Sequence, residues 1–205
     1  MRYNTLSTAV KALRCKLFGI SDVNRWVDVA DYDDWVERTR LIAGLVPAGS
    51  RVIEFGAGHR RLQGLLSADC SYTPSDLASR GPDTIVFDLN ARPLPDLRDQ
   101  RFDVAVLAGV LEYVANLPSF TAWLAQQAPL CICSYGCVAT PRHSPGRLKE
   151  HIDRARAGWA NTLDERQLID IFSAAGFVKR HTTDWHTPEG SERIFLFSRK
   201  DVAQA

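Results

Sequence analysis

The alternation of short apolar runs with segments of helical spacing is the feature that most constrains how this chain folds. Five runs in the first two thirds of the sequence are apolar, of strand length and bounded by turn residues. They cover residues 51–55, 71–75, 84–87, 102–107 and 130–134. Segments of helical spacing or proline-rich loops separate them, among them residues 60–66 and 118–128. This order predicts a mostly parallel sheet with helices on both faces.

The last part of the sequence departs from this alternation. Two strand-like runs, residues 177–184 and 192–198, are separated only by a turn around residues 188–190. Parallel neighbours need a crossover of about a dozen residues or more, so these two runs are predicted to be antiparallel. Ahead of them, Thr162 and Glu165 form the T-x-x-E pattern of a capping box at a helix start. The predicted fold is a doubly wound α/β sheet of seven strands, with an antiparallel C-terminal strand.

Length and charge limit the classes of function. The 205 residues are enough for one sizeable domain, and a net charge of +1 gives no general attraction to nucleic acid or anionic membranes. The apolar runs are far shorter than the roughly 20 residues of a membrane-spanning helix. The N-terminus lacks the continuous apolar stretch of a signal peptide. We therefore expect a cytoplasmic protein with no nucleic-acid partner and no stable membrane insertion. The oligomeric state is not indicated.

The cysteines do not form a pattern typical of metal binding. Three of the five lie in the stretch CICSYGC, residues 131–137. The spacing C-x-C-x-x-x-C matches neither paired C-x-x-C knuckles nor the usual cysteine–histidine sets of zinc sites. The interpretation is that they are buried free thiols in a reducing compartment, and no metal site is predicted.

The stretch RVIEFGAGHRRLQGLL, residues 51–66, combines an acid with two glycines where the first strand ends. In a doubly wound sheet, ligands bind at the carboxyl ends of the strands where the strand order reverses. Gly56 and Gly58 let the backbone approach a ligand closely. Glu54 is unfavourable beside a phosphate and favours a cationic or N–H-rich group. The glycines alone are equally well explained by a tight turn between a strand and a helix.

Two further acids stand at the ends of the next two strands. Asp76 follows the second strand, where a carboxylate can accept hydrogen bonds from the vicinal hydroxyls of a ribose. Asp88 follows the third strand and can accept from the exocyclic amine of an adenine. The structural alternatives are that Asp76 caps the following segment and that Asp88 forms an Asx-turn. The shared register of three acids with three strand ends favours a ligand that contains a nucleoside.

These motifs together resemble the class I S-adenosylmethionine-dependent methyltransferases, over roughly residues 33–199. In that family the first strand reads apolar-apolar-acid-x-Gly-x-Gly, which here is VIEFGAG. The acid after the second strand matches Asp76, and the Asp-Leu pair after the third matches Asp88 and Leu89. The family motif Leu-Glu-His-Val after the fourth strand appears as LEYV, residues 111–114. The resemblance implies S-adenosylmethionine as cofactor and methyl transfer to an O, N or C nucleophile of a small-molecule acceptor.

The resemblance also assigns the cofactor-binding residues. Glu54 would lie close to the α-amino group of the methionine part, Asp76 would hold the ribose, and Asp88 would contact the adenine. The chain would form one domain, residues 1–205, with an N-terminal helical extension or lid (1–32) and an insert on the acceptor side (135–160). The full set of cofactor-binding residues is Glu54, Gly56, Ala57, Gly58, Asp76, Leu77, Asp88, Leu89, Ala108 and Gly109.

Two departures from the family pattern leave alternatives open. Arg60 stands where a third glycine is frequent, and Tyr113 replaces a histidine that often serves as a general base. Both departures are compatible with a catalytically silent binding or regulatory module of the same fold. A nicotinamide-dependent oxidoreductase is less favoured, because its G-x-G-x-x-G motif would need a glycine in place of Arg61.

Two histidines just beyond the fifth strand are the candidate catalytic residues. His143 and His151 lie in CVATPRHSPGRLKEH, and a histidine can accept a proton near neutral pH. The alternative is that both side chains face solvent. The same region contains several arginines, which indicate either a solvated helix face or contact with an anionic acceptor. These arginines are Arg142, Arg147, Arg154 and Arg156.

Overall fold

The computed structural model describes residues 34–138, 145–187 and 190–201, together with the single positions 10, 14, 18 and 21. Its α-helices are α1 (Asp34–Ala43), α2 (Leu117–Gln127), α3 (Pro145–Arg156) and α4 (Glu165–Ala174). Its strands are β1 (Arg51–Phe55), β2 (Ser71–Asp76), β3 (Ile85–Val86), β4 (Val104–Leu107), β5 (Leu130–Tyr135), β6 (Phe177–Thr187) and β7 (Gly190–Arg199).

The seven strands form one sheet in the order β3-β2-β1-β4-β5-β7-β6. Strands β1 to β5 are parallel, whereas β7 is antiparallel to both of its neighbours, β5 and β6. The predicted mixed sheet with an antiparallel C-terminal strand is therefore confirmed. The strand order reverses between β1 and β4, so a crevice opens there at the carboxyl ends of the strands.

Apolar side chains cover both faces of the sheet. On one face, α2 and α4 contribute Phe120 and Phe172, and the Phe172 ring stacks on Phe197 of β7 at 4.1 Å between ring centroids. On the other face, Ile42 of α1 packs with Val52 and Trp185. Burial of these faces is the main stabilisation of such a sheet. Among the described helices, none has the length and apolar character needed to cross a bilayer.

The predicted capping box is wrong by two residues. Asp164, not Thr162, is the N-cap of α4, and its side chain accepts a hydrogen bond from the N–H of Gln167 at 2.9 Å. The Gln167 side chain accepts in return from the Asp164 N–H at 3.0 Å. A carboxylate interacts more favourably than a hydroxyl with the positive end of the helix dipole, which explains the shift.

The segment after the glycine turn is shorter and tighter than predicted. A 3-10 helix, Arg61–Leu65, replaces the expected helix of residues 60–66, and Leu62 is its buried residue. Gly64 within it weakens any longer α-helix. Helix α1 packs against this 3-10 helix. As a result, α1 covers the sheet face beside the first turn.

The cysteine side chains of β5 are buried. Cys131 and Cys133 are inaccessible free thiols, and the partly buried Cys137 follows them. Desolvation raises the pKa of the Cys133 and Cys137 thiols. These thiols are therefore protonated at neutral pH and act as small apolar side chains.

Candidate functional site

The two glycines of the turn after β1 have different surroundings. Gly56 has φ +71°, and a Cβ atom there would lie 2.5 Å from Cγ2 of Val110. Gly58 has φ +50°, and its nearest neighbour to a Cβ would be the Gly56 carbonyl oxygen at 4.0 Å. Gly56 therefore permits close packing on the turn after β4, whereas Gly58 faces open space. The tight-turn explanation suits both residues, since both have positive φ, and the open space at Gly58 is compatible with a ligand there.

The backbone N–H groups of this turn donate hydrogen bonds to β2. Those of Gly56 and Ala57 donate to the Ser75 carbonyl at 2.8 and 3.1 Å. That of Gly58 donates to Oδ2 of Asp76 at 2.8 Å. A phosphate-binding turn would instead direct its N–H groups at the ligand. The turn thus positions the Asp76 carboxylate and does not direct these N–H groups at a phosphate.

Glu54 is a buried carboxyl group at the end of β1. Its Oε2 accepts a hydrogen bond from the Tyr72 hydroxyl at 2.5 Å. Burial raises the pKa of Glu54 to about 8, against the opposing effects of the Tyr72 hydrogen bond and the Arg38 charge, while Asp76 adds to the rise. A carboxyl group in this state gains most from a cationic neighbour, because the cation restores its ionised form.

Arg38 of α1 is a residue that sequence reasoning missed. It is only 5% exposed, and its guanidinium lies between the rings of Trp35 and Trp185, at 5.2 and 5.3 Å from their centroids. Its Nη1 lies 3.4 Å from Oε2 of Glu192, and its Nε has no hydrogen-bond partner among the described residues. A Cβ atom on Gly109 would lie 2.6 Å from Nη1. A buried guanidinium with spare donors therefore reaches the carboxyl end of β4.

Asp76 is 7% exposed and is held by four donors. Oδ2 accepts from the Gly58 N–H at 2.8 Å and from Nε of Arg80 at 3.1 Å, and Oδ1 accepts from the N–H groups of Leu77 at 2.7 Å and Ala78 at 3.5 Å. The local capping geometry is thus present. Arg80, a side chain on the neighbouring loop, is the donor that can move away without breaking the turn.

Asp88 forms the Asx-turn that was its structural alternative. Oδ1 accepts from the Asn90 N–H at 2.8 Å. Both carboxylate oxygens also accept from Ser21, Oδ1 from the hydroxyl at 2.5 Å and Oδ2 from the N–H at 3.1 Å. The Asn90 side chain donates to Ser21 and to the Tyr113 carbonyl, both at 2.9 Å. Asp88 therefore joins position 21 to the loops that follow β3 and β4.

Arg60 adopts the backbone conformation that a third glycine would supply. It is left-handed, with φ 58°. Its guanidinium forms two hydrogen bonds with the Asp83 carboxylate, at 2.8 and 2.7 Å, and lies 5.8 Å from the centroid of the Tyr72 ring. The departure from the family pattern thus ties the turn after β1 to the loop before β3.

Glu112 is a second buried carboxyl group, in the 3-10 helix Leu111–Tyr113 that follows β4. It is 2% exposed, and its Oε1 accepts from the Gly136 N–H at 3.0 Å. Its Oε2 is buried without a hydrogen-bond partner in the described part of the chain. Burial, with a contribution from Glu192, raises the pKa of Glu112 to about 7. Its place in the LEYV motif was the only sequence signal for it.

The predicted catalytic histidines are not brought to this crevice by any described contact. His143 lies outside the described residues. His151 is exposed on α3, where its Nε2 lies 3.2 Å from Nε of Arg147. The basic side chains of α3 divide into two groups. Lys149 and Arg156 are exposed, as on a solvated helix face, whereas Arg147 is buried and Arg154 donates to the Gly136 and Cys137 carbonyls and pairs with Glu150 at 2.8 Å.

Comparison with known families identifies the fold family. A family described as a methyltransferase domain matches residues 24–182, well over half of the chain. The chain belongs to this methyltransferase family. The resemblance inferred from VIEFGAG and the two following acids is therefore confirmed, and the protein is a class I S-adenosylmethionine-dependent methyltransferase.

Solved structures share the fold of this methyltransferase at low sequence identity. The Burkholderia thailandensis 1,6-didemethyltoxoflavin-N1-methyltransferase has a TM-score of 0.63 and 17% identity, over 94% of this chain and 89% of that one. The Synechocystis magnesium protoporphyrin IX methyltransferase has 0.58 and 17%, over 95% of each. A Mesorhizobium loti S-adenosylmethionine-dependent methyltransferase has 0.57 and 18%, over 81% and 98%. No curated protein sequence matches the chain.

Proposed function

We propose that this methyltransferase transfers a methyl group from S-adenosylmethionine to an O, N or C nucleophile of a small-molecule acceptor. The observation that carries the proposal is a buried carboxyl group and a buried guanidinium at the ends of the neighbouring strands β1 and β4. Glu54 ends β1, and the Arg38 guanidinium reaches Gly109 after β4. An amino-acid zwitterion presents an ammonium and a carboxylate, so this pair matches both groups.

The methionine part of the cofactor would lie between these charges. Glu54 would bind the α-ammonium and Arg38 the α-carboxylate, through its unpartnered Nε. Gly58 would leave the space that the ligand occupies. The remaining contacts along this part would come from small side chains and backbone, namely Gly56, Ala57, Ala108 and Gly109.

The nucleoside part would lie along the ends of β2 and β3. Asp76 would accept from the ribose hydroxyls, which would take the place of Arg80 as donors. Asp88 and Leu89 would border the adenine, with Leu77 on the opposite side. Asp88 is already bound by Ser21, so the amine of the adenine would share the carboxylate with position 21.

The cofactor, when bound, supplies an activated methyl group on a sulfonium. The protein then has to align the methyl acceptor and exclude water, and such positioning can contribute up to about 7–11 kcal/mol. Two of the fold relatives are described as acting on small molecules, one with a toxoflavin precursor bound and one on a magnesium porphyrin. This supports a small-molecule acceptor here. His143 and His151 remain candidate bases for an acceptor that must lose a proton.

Affinity for S-adenosylhomocysteine should rise with pH and level off near pH 8. The Glu54 carboxyl group has a pKa of about 8 in the free protein, and a bound ammonium would lower that pKa. Binding therefore favours the ionised form, and below pH 8 a proton must be released first. The groups that face Glu54 are Tyr72, Arg38 and Asp76.

Calorimetric titrations between about pH 6 and about pH 9 measure this slope. Glu54→Gln is the control, because it cannot ionise, and the difference between the two profiles removes the titration of the ligand's own amino group. The same profile in wild type and Glu54→Gln would contradict the assignment of Glu54.

Titration with S-adenosylhomocysteine also tests the ribose assignment. Asp76→Asn keeps one acceptor oxygen and removes the charge, so we expect about a tenfold loss of affinity, roughly 1.4 kcal/mol. Ser79→Ala, a neighbouring change in an exposed hydrogen bond, should bind like the wild type. Equal affinity of Asp76→Asn and wild type would refute the ribose contact, and no binding by the wild type would refute the proposed cofactor site.

A further inference from the structure

Among the described residues, Oε2 of the buried Glu112 carboxyl group has no hydrogen-bond partner, and the proposed cofactor contacts do not use it. We propose that Glu112 accepts the proton of an amine methyl acceptor through Oε2, and that Glu112 and Glu192 together select an amine. This rests on the proposed function. It differs from the candidate histidines, since it uses a buried group in the turn that follows β4.

The position of Glu112 is fixed by the end of β5. Its Oε1 accepts from the Gly136 N–H at 3.0 Å, one residue beyond the paired Tyr135 and Arg193 of β5 and β7. In an antiparallel pair the next residue of β7 along this direction is Glu192. The two acids therefore lie beside one another, and Glu192 raises the pKa of Glu112.

Glu112 has Arg38 near it on one side and Gly136 beside it on the other. The charge of Arg38 acts on both Glu54 and Glu112, lowering the pKa of each, so its guanidinium is near both carboxyl groups. On the other side, a Cβ atom on Gly136 would lie 2.5 Å from Cη2 of Trp159. The ring of Trp159 thus closes over the residue that holds Glu112.

The charges around Oε2 favour a cationic acceptor. Glu192 lies beside Glu112, and two guanidinium groups nearby are already paired with acids: Arg38 with Glu192, and Arg154, which also donates to the Gly136 carbonyl, with Glu150. Three further groups interact electrostatically with Glu112 and are neutral at pH 7, namely Tyr135, Cys133 and Cys137. An anion here would meet two acids.

The proton balance suits an ammonium. A bound R–NH₃⁺ gives one proton to Oε2 of Glu112, which frees the nitrogen lone pair. The nitrogen–methyl bond forms while the sulfur–methyl bond breaks, and that electron pair stays on sulfur. The products are R–NH₂CH₃⁺, S-adenosylhomocysteine and one proton on Glu112. A carboxyl group whose pKa is about 7 can then return this proton to water.

Glu112→Gln separates this role from a structural one. The glutamine carbonyl oxygen still accepts from the Gly136 N–H, so an anchoring role predicts wild-type behaviour. In complexes with S-adenosylhomocysteine, difference infrared spectra over a pH series should show a buried carboxyl C=O band that titrates near neutral pH and is missing in Glu112→Gln. If the C=O band is already lost below about pH 5, because the carboxyl group ionises near the ordinary glutamate pKa, the proposal is overturned.

A matched set of ligands tests the choice of acceptor. Benzylamine, benzyl alcohol and benzoate differ in charge on a common ring, and each is titrated into the S-adenosylhomocysteine complex near pH 7. We expect benzylamine to bind, benzoate not to bind, and benzylamine affinity to fall about tenfold or more in Glu112→Gln and in Glu192→Gln. Glu37→Gln, an exposed acid of α1, is the charge-matched control and should change nothing.

The outcomes distinguish the two proposals. Failure of the wild type to bind S-adenosylhomocysteine refutes the cofactor site. The amine site alone is overturned if the wild type binds the cofactor normally but prefers benzoate or benzyl alcohol, or does not bind benzylamine. Equal benzylamine affinity in wild type and Glu112→Gln would overturn it as well.

Discussion

Arg38→Gln should lower the affinity for S-adenosylhomocysteine by about 30-fold or more. Removing one partner of a buried charge pair costs about 2–5 kcal/mol, and 2 kcal/mol corresponds to about 30-fold. Arg38 is 5% exposed and has an unpartnered Nε, so no water would replace it well. Its loss would also leave Glu54 and Glu112 without their nearby positive charge. Calorimetric titration measures the effect.

The matched control lies two residues further along α1. Arg40 is an exposed side chain whose Nη1 donates to Glu37 at 2.5 Å. We therefore expect Arg40→Gln to bind S-adenosylhomocysteine like the wild type. Thermal unfolding of both variants shows whether Arg38→Gln still folds cooperatively. A folded Arg38→Gln with unchanged affinity would mean that Arg38 only packs between its two tryptophans.

Gly58→Asn should weaken the same binding by up to about 100-fold, roughly 3 kcal/mol, while unfolding stays cooperative. The asparagine side chain would enter space that is open at Gly58 in the free protein, and it would collide with a bound methionine part. Asparagine tolerates a left-handed backbone better than most residues, so the φ of +50° adds little strain. Calorimetry measures the affinity for S-adenosylhomocysteine, and a thermal melt shows whether the variant still unfolds cooperatively.

Gly56→Ala is the contrasting variant. Its Cβ would lie 2.5 Å from Cγ2 of Val110, so we expect a loss of stability of about 1–3 kcal/mol before any effect on a ligand. If Gly58→Asn instead failed to fold, or bound normally, the open space at Gly58 would not be ligand space.

The mixed sheet and the acids at the strand ends were predictable because they follow from local patterns. Apolar runs locate strands, and the acid at the end of each strand is next to that run in sequence. Glu54, Asp76 and Asp88 could therefore be placed at one edge of the sheet before any coordinates. The capping box was misplaced for the same local reason, since Thr162 and Asp164 both suit an N-cap and the charge of Asp164 decided the competition.

Arg38 and Glu192 could not be found in this way. Each lies far in sequence from the strand ends it reaches, one on α1 and the other on β7. An arginine among polar helix residues has no periodic signal, and its burial appears only once Trp35 and Trp185 enclose it. Glu112 could be found from its sequence motif. The motif does not show, however, that the Gly136 N–H donates to Oε1 alone and leaves Oε2 without a partner among the described residues.

The position of β7 between β5 and β6 affects how the protein forms during synthesis. β5 and β6 both pair with β7 and not with each other, so β6 leaves the ribosome before its only partner in the sheet. Until β7 inserts, both strands present unpaired edges and the apolar side of Phe177. Pairing with β7 therefore closes the facing edges of β5 and β6, through which incomplete chains would associate.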